Sequence, residues 1–118
     1  MEGVLLADDD AAFRDQLATL IADRFPGLTL VASVADGHEA VACAMDHSPA
    51  LVLIDYAMPG PNGGHAAAVI RQALPATRVI ILSGLDDTDL ADVPGDVEVV
   101  RKGVGMGDAL AAILERQD

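Results

Sequence analysis

Leu51-Val52-Leu53-Ile54-Asp55 is an unbroken aliphatic run that stops on a carboxylate. A strand with one face in water alternates apolar and polar residues, whereas a strand covered on both faces has no need to. This run therefore reads as the central strand of a sheet with helices on either side. Three other runs follow the same plan. Val4-Leu5-Leu6-Ala7 leads into Asp8-Asp9-Asp10, Val79-Ile80-Ile81-Leu82 into Ser83, and a last strand over Val97–Val100 into Arg101-Lys102. If the runs are parallel, all four polar groups emerge at the carboxyl edge of one sheet, where open α/β sheets place their sites.

The stretches between the runs carry helical signals. Phe13, Leu17, Leu20 and Ile21 fall at i, i+4, i+7 and i+8, an Asp of the preceding cluster can cap their helix, and Pro26-Gly27 ends it. Leu28–Val34 is a strand weakened toward an edge position by Thr29 and Ser33. Asp36-Gly37-His38-Glu39 has the form of a capping box, opening a helix with Val41, Ala44 and Met45 on one face. Tyr56 to Gly64 is dense in Pro and Gly and reads as a loop. A third helix is expected over His65–Leu74, burying Ala66, Val69, Ile70 and Ala73. A short fourth is expected over Leu85–Asp92, cut off by Pro94-Gly95. A last one, capped by Asp108, runs through Leu110, Ile113 and Leu114. Five successive β-α units imply an α/β fold, a parallel sheet covered on both faces, with residues 1–118 as one domain.

Composition narrows the function. Residues are 52% hydrophobic but only 3% aromatic, so the core is aliphatic and disorder is excluded. Nineteen acids against seven bases give a formal net charge of −12, which argues against direct binding of nucleic acid. A lone cysteine, Cys43, forms no internal disulfide and reads as a small apolar residue of its helix. With no run long enough to span a membrane and no leader-like start, the expectation is a cytoplasmic protein without membrane contact.

The chemistry is in the strand ends. Lys102 is the only lysine in the chain, and one ammonium among so many carboxylates calls for a fixed anionic partner. Three consecutive carboxylates repel one another until a cation arrives. All-oxygen ligation suits Mg²⁺, or Mn²⁺, with water completing the shell. Asp55, from the adjacent strand, can share that metal and can also attack a phosphoryl group to give an aspartyl phosphate. Phosphoryl transfer asks mainly for charge stabilisation. The metal, Lys102 as a point charge and a hydrogen bond from Ser83 would provide it. His38, His47 and His65 lie on separate segments without metal-ligand spacing and read as solvent-facing. Tyr56 reads as a wall of the site.

In Val4-Leu5-Leu6-Ala7-Asp8-Asp9, Asp55-Tyr56-Ala57-Met58-Pro59-Gly60, Ile81-Leu82-Ser83-Gly84 and Arg101-Lys102-Gly103 the chain resembles the receiver domains of two-component response regulators, over essentially its whole length. The resemblance implies a flavodoxin-like, doubly wound five-stranded sheet of order 2-1-3-4-5. It implies Asp55 as phosphoacceptor, and Asp9 as a direct Mg²⁺ ligand with Asp8 acting through water. It also implies the Ala57 backbone carbonyl as a further ligand, and Ser83 and Lys102 as the assisting pair. The phosphodonor would be a histidine kinase or a histidine phosphotransfer protein. Phosphorylation would switch contacts with an output domain or effector, or drive homodimerisation.

The chain also departs from that family. Val99 stands where an aromatic is usual, Gly103 where proline usually follows the lysine, and the segment between Ser83 and Lys102 is short. A β-branched valine cannot swing as a ring does, so switching is expected in the backbone of Gly84–Asp96, a segment expected to be loosely held. Two other readings are a receiver that binds partners without phosphorylation and a phosphatase of the haloacid dehalogenase type. The latter would use Asp8-x-Asp10, but Ala12 and the missing acidic pair after Lys102 do not suit it.

Overall fold

The computed structural model describes residues 2–84, 90 and 92–115. Five strands, β1 (Glu2–Ala7), β2 (Leu28–Val34), β3 (Leu51–Asp55), β4 (Arg78–Ser83) and β5 (Glu98–Arg101), form one sheet. All neighbours are parallel, and the spatial order is β2-β1-β3-β4-β5, as the resemblance implies. β3 is central and β2 lies at an edge, as their sequences suggest. Four helices are described: α1 (Ala11–Arg24), α2 (Gly37–His47), α3 (Gly63–Ala73) and α4 (Met106–Glu115). The helix expected over Leu85–Asp92 lies outside the described residues, apart from Leu90 and Asp92, which are not helical.

Side-chain alternation along the strands divides the core in two. Leu5, Ala7, Val52, Ile54, Val79 and Ile81 point to the face covered by Ala40 and Ala44 of α2 and Ala66, Ala67 and Ile70 of α3. Val4, Leu6, Leu51, Leu53, Ile80 and Leu82 point to the other, against Leu17 and Ile21 of α1 and Leu110 and Ile113 of α4. Every residue of β3 is buried, which is why its sequence shows no polar alternation. Truncating one such side chain, for instance Ile70→Ala, would cost about 2–5 kcal/mol.

The helix faces differ in detail from expectation. Met45 on α2 and Val69 on α3 are exposed, and so is Ala73, while Ala40 and Ala67 are buried. Where α2 and α3 pack on the sheet and on each other, alanines allow close approach and the bulkier residues stand at the margin. Cys43 is half-buried against the α2–α3 core, and His38, His47 and His65 are exposed. The capping box at α2 forms with a shift: Asp36 accepts from the Glu39 N–H at 2.8 Å, but Glu39 reaches back to the Ala35 N–H, not to that of Asp36. α4 begins two residues before Asp108, which sits in the first turn and pairs with Arg24 at 3.1 Å. Asp108 is therefore not the cap. Among the described residues no helix is long and apolar enough to cross a membrane.

Candidate functional site

Strand register brings the acids together. Ala7 pairs with Ile54, so Asp8 and Asp55 leave β1 and β3 side by side. The Asp8 N–H donates to the Val34 carbonyl at 3.0 Å, and the Tyr56 N–H to that of Leu82 at 2.9 Å, so both strands stay hydrogen-bonded up to the site. Gly63 lets α3 start directly above it: a Cβ there would lie 2.4 Å from the Asp55 carbonyl oxygen. This is why α3 begins two residues before His65, with Asn62 as its N-cap.

The three aspartates after β1 have separate duties. The Asp10 carboxylate accepts from the N–H groups of Ala12 and Phe13, capping α1. That use removes it from the Asp8-x-Asp10 arrangement a dehalogenase-type phosphatase would need. Asp8 and Asp55 are buried, at 2% and 5% exposure, and Asp9 is exposed. Oxygens of Asp8, Asp9 and Asp55 all lie within 4.8 Å of one another. Oxygen-only donors at this spacing fit a hard divalent cation of the Mg²⁺ or Mn²⁺ type. Ala57 is exposed at the head of the β3–α3 loop.

Lys102 has the anionic partners its isolation called for. Its Nζ lies 2.6 Å from Asp8 Oδ2 and 3.1 Å from Asp55 Oδ1. Its backbone N–H donates to the Ser83 carbonyl at 2.9 Å, fixing the end of β5 against that of β4. The Ser83 side chain, 2% exposed, donates to the Gly84 carbonyl at 3.2 Å. Burial, then the neighbouring charge of Asp8, push the Asp55 carboxyl up to about 6, with Lys102 only partly offsetting them. Burial presses the other way on Lys102, yet its hydrogen bond to Asp8 and the charge of Asp55 hold its ammonium above the ordinary value.

A family profile for the response regulator receiver domain matches residues 4–113. The chain belongs to that family. It is a signalling domain of two-component systems. It is 33% identical over 87 residues to the oxygen regulatory protein NreC of Staphylococcus haemolyticus, a match covering 73% of this chain and 40% of NreC. To the transcriptional regulatory protein PdtaR of Mycobacterium tuberculosis it is 33% identical over 113 residues, covering 93% of this chain and 54% of PdtaR. The receiver thus spans about half or less of these two relatives. Among solved structures, a LuxR-family two-component response regulator from Aurantimonas sp. SI85-9A1 superposes with a TM-score of 0.81 at 30% identity, over 98% of this chain and 84% of that one. The response regulator domain of Thermotoga maritima CheB gives 0.77 at 27% identity, over 98% and 92%.

Around this receiver's site stand residues whose part the sequence did not show. The Phe13 ring centroid lies 4.3 Å from Lys102 Nζ, and Arg14 of α1 donates to the Asp8 carbonyl. Tyr56, read as a wall, donates its hydroxyl to Asp92 Oδ1 at 2.6 Å, and Asn62 donates to Asp92 Oδ2 at 2.8 Å. Those two hydrogen bonds hold the Asp92 carboxyl below its usual range. Arg71 of α3 pairs with Asp96. Around Asp92 and Asp96 the β4–β5 connection is therefore tied to α3 and its loop by exposed polar contacts, with no buried apolar residue between 92 and 96; of the Gly84–Asp96 segment expected to be loosely held, residues 85–89 and 91 lie outside the described residues. Acids beside a Pro-Gly turn are ordinary in a sequence, and nothing marks these two as pins. Val99 is 39% exposed on β5.

Proposed function

We propose that residues 1–118 act as a single phosphoaccepting switch in which Asp55 receives a phosphoryl group. The observation that carries the reading is the convergence of Lys102 Nζ on Asp55 Oδ1 and Asp8 Oδ2, at 3.1 and 2.6 Å, beside a cluster of three carboxylates. Asp55 would be ionised at neutral pH and so nucleophilic. One of its oxygens attacks the phosphorus of a phosphohistidine on a histidine kinase or phosphotransfer protein. The P–N bond breaks, and its electron pair stays on the imidazole nitrogen, which takes a proton from water. Asp55 is left as an acyl phosphate. Lys102 moves little to pair with the new phosphoryl oxygens, and the Ser83 hydroxyl turns from the Gly84 carbonyl to donate to one of them.

Asp8, Asp9, Asp55 and the Ala57 carbonyl would hold Mg²⁺, which when bound supplies positive charge to the phosphoryl oxygens. The phosphorylated surface would then engage an output domain, an effector or a second copy. Intact mass after incubation with acetyl phosphate and Mg²⁺ tests the reading. One phosphoryl group is expected on the wild type and none on Asp55→Asn, because an amide is no nucleophile. An unlabelled wild type would favour a receiver that works without phosphorylation.

A further inference from the structure

We propose that Phe13 is a positioning residue, whose ring keeps the Lys102 ammonium over the site when the carboxylates that now hold it are engaged elsewhere. This rests on the role given to Lys102 above. Lys102 follows β5, whereas Asp8 follows β1, and two strands lie between them in the sheet. At a strand spacing of about 4.8 Å, the lysine must lean across much of the carboxyl edge to reach Asp8. Something has to receive it there. Phe13 comes from the first turn of α1, and its own N–H donates to the capping Asp10 carboxylate at 3.2 Å. The cap that closes the acidic cluster thus also places the ring.

Lys102 Nζ then has three holds of two kinds. Asp8 and Asp55 hold it by charge, and the Phe13 face at 4.3 Å holds it through the ring quadrupole. The two carboxylates belong to the group whose oxygens could hold a metal ion. A divalent cation there draws on the same lone pairs and repels the ammonium. The ring cannot ligate such a cation, so it is the one hold not shared with it. Lys102 is only 23% exposed, which strengthens a cation–ring contact relative to one in open water. A leucine at this position would fill the apolar space without the quadrupole, and a tyrosine would keep it.

The single lysine makes the test direct, since protein labelled with ¹³C,¹⁵N-lysine gives one set of side-chain NMR signals. The Lys102 Hε protons should lie upfield of their free-lysine position through the ring current, with and without Mg²⁺. Phe13→Leu should return them to that position, and Phe13→Tyr should keep the shift. Labelling by acetyl phosphate in Mg²⁺ should be roughly three- to tenfold slower for Phe13→Leu and close to wild type for Phe13→Tyr. Wild-type Hε signals at the free-lysine position in Mg²⁺, or an unchanged labelling rate in Phe13→Leu, would overturn the proposal. A wild type that takes no label would defeat the role of Asp55 instead, and the ring shift would still decide whether Phe13 holds the ammonium.

Discussion

Asp55→Asn should make the metal-free protein more stable, by an amount that depends on pH. Asp55 is buried beside Asp8, and its carboxyl sits at about 6 in the folded chain against 3.8 for the ordinary group. The folded state therefore binds its proton more tightly than the unfolded state does. Stability falls as pH rises from about 4 and levels off above about 6. The gap of about two pKa units corresponds to a cost of about 3 kcal/mol at pH 7.5, falling to about half that at pH 5, where the folded carboxyl is mostly protonated. Asparagine approximates the protonated acid at every pH, so the variant recovers these amounts. The attraction of Lys102 is already included, because it lowers the Asp55 value and the net shift is still upward. Urea unfolding in EDTA at several pH values between 5 and 7.5 would measure the difference. With a urea slope near 2 kcal/mol/M, the midpoint should rise by about 1.5 M at pH 7.5 and by about half that at pH 5. A variant less stable than wild type at pH 7.5, or a gain equal at both ends of the range, would show that the buried Asp55 charge does not destabilise the fold.

Mg²⁺ should narrow that difference. Wild type gains about 1.4 kcal/mol at ten times Kd by mass action, and a thermal melt should show Asp9→Ala losing most of the gain; an undiminished response would place the metal elsewhere. Tyr56→Phe removes the 2.6 Å hydrogen bond to Asp92, so backbone amides of residues 92–97 should exchange faster while those of β1, β3 and β4 keep their protection. A beryllofluoride phosphoryl mimic should alter exchange in that same segment and leave Val99 nearly unchanged; protection gained only in α3 or α4 would put the signal on another face.

Strands and site acids were legible for one reason. A parallel strand buried on both faces must be apolar until it ends, so β1, β3 and β4 announce both themselves and the residues they deliver, Asp8, Asp55 and Ser83. The full sheet order rests on the resemblance, since the runs themselves mark β3 as central and β2 as an edge strand but not which of the others are neighbours. Helix faces were less legible, because hydrophobicity ranks side chains by size while close packing selects small ones. Val69 and Met45 thus read as core and lie outside, and Ala67 and Ala40 are buried. In the sequence Phe13 is one more residue of an apolar stripe. Periodicity assigns it a helix face but is silent on the ammonium arriving from β5, with five described elements between them in the chain. Asp92 and Asp96 were invisible for the same reason, as their partners Tyr56, Asn62 and Arg71 belong to distant segments.

Chemical capture of the acyl phosphate tests whether Asp55 is the phosphoacceptor. Wild-type protein is incubated with acetyl phosphate and Mg²⁺, reduced with borohydride, which converts a phosphorylated aspartate to homoserine, and mapped by peptide mass spectrometry. Homoserine at position 55, with Asp8, Asp9 and Asp10 intact, is the predicted result. Homoserine at position 8, 9 or 10 with Asp55 unchanged would place the phosphoacceptor in the β1 cluster instead.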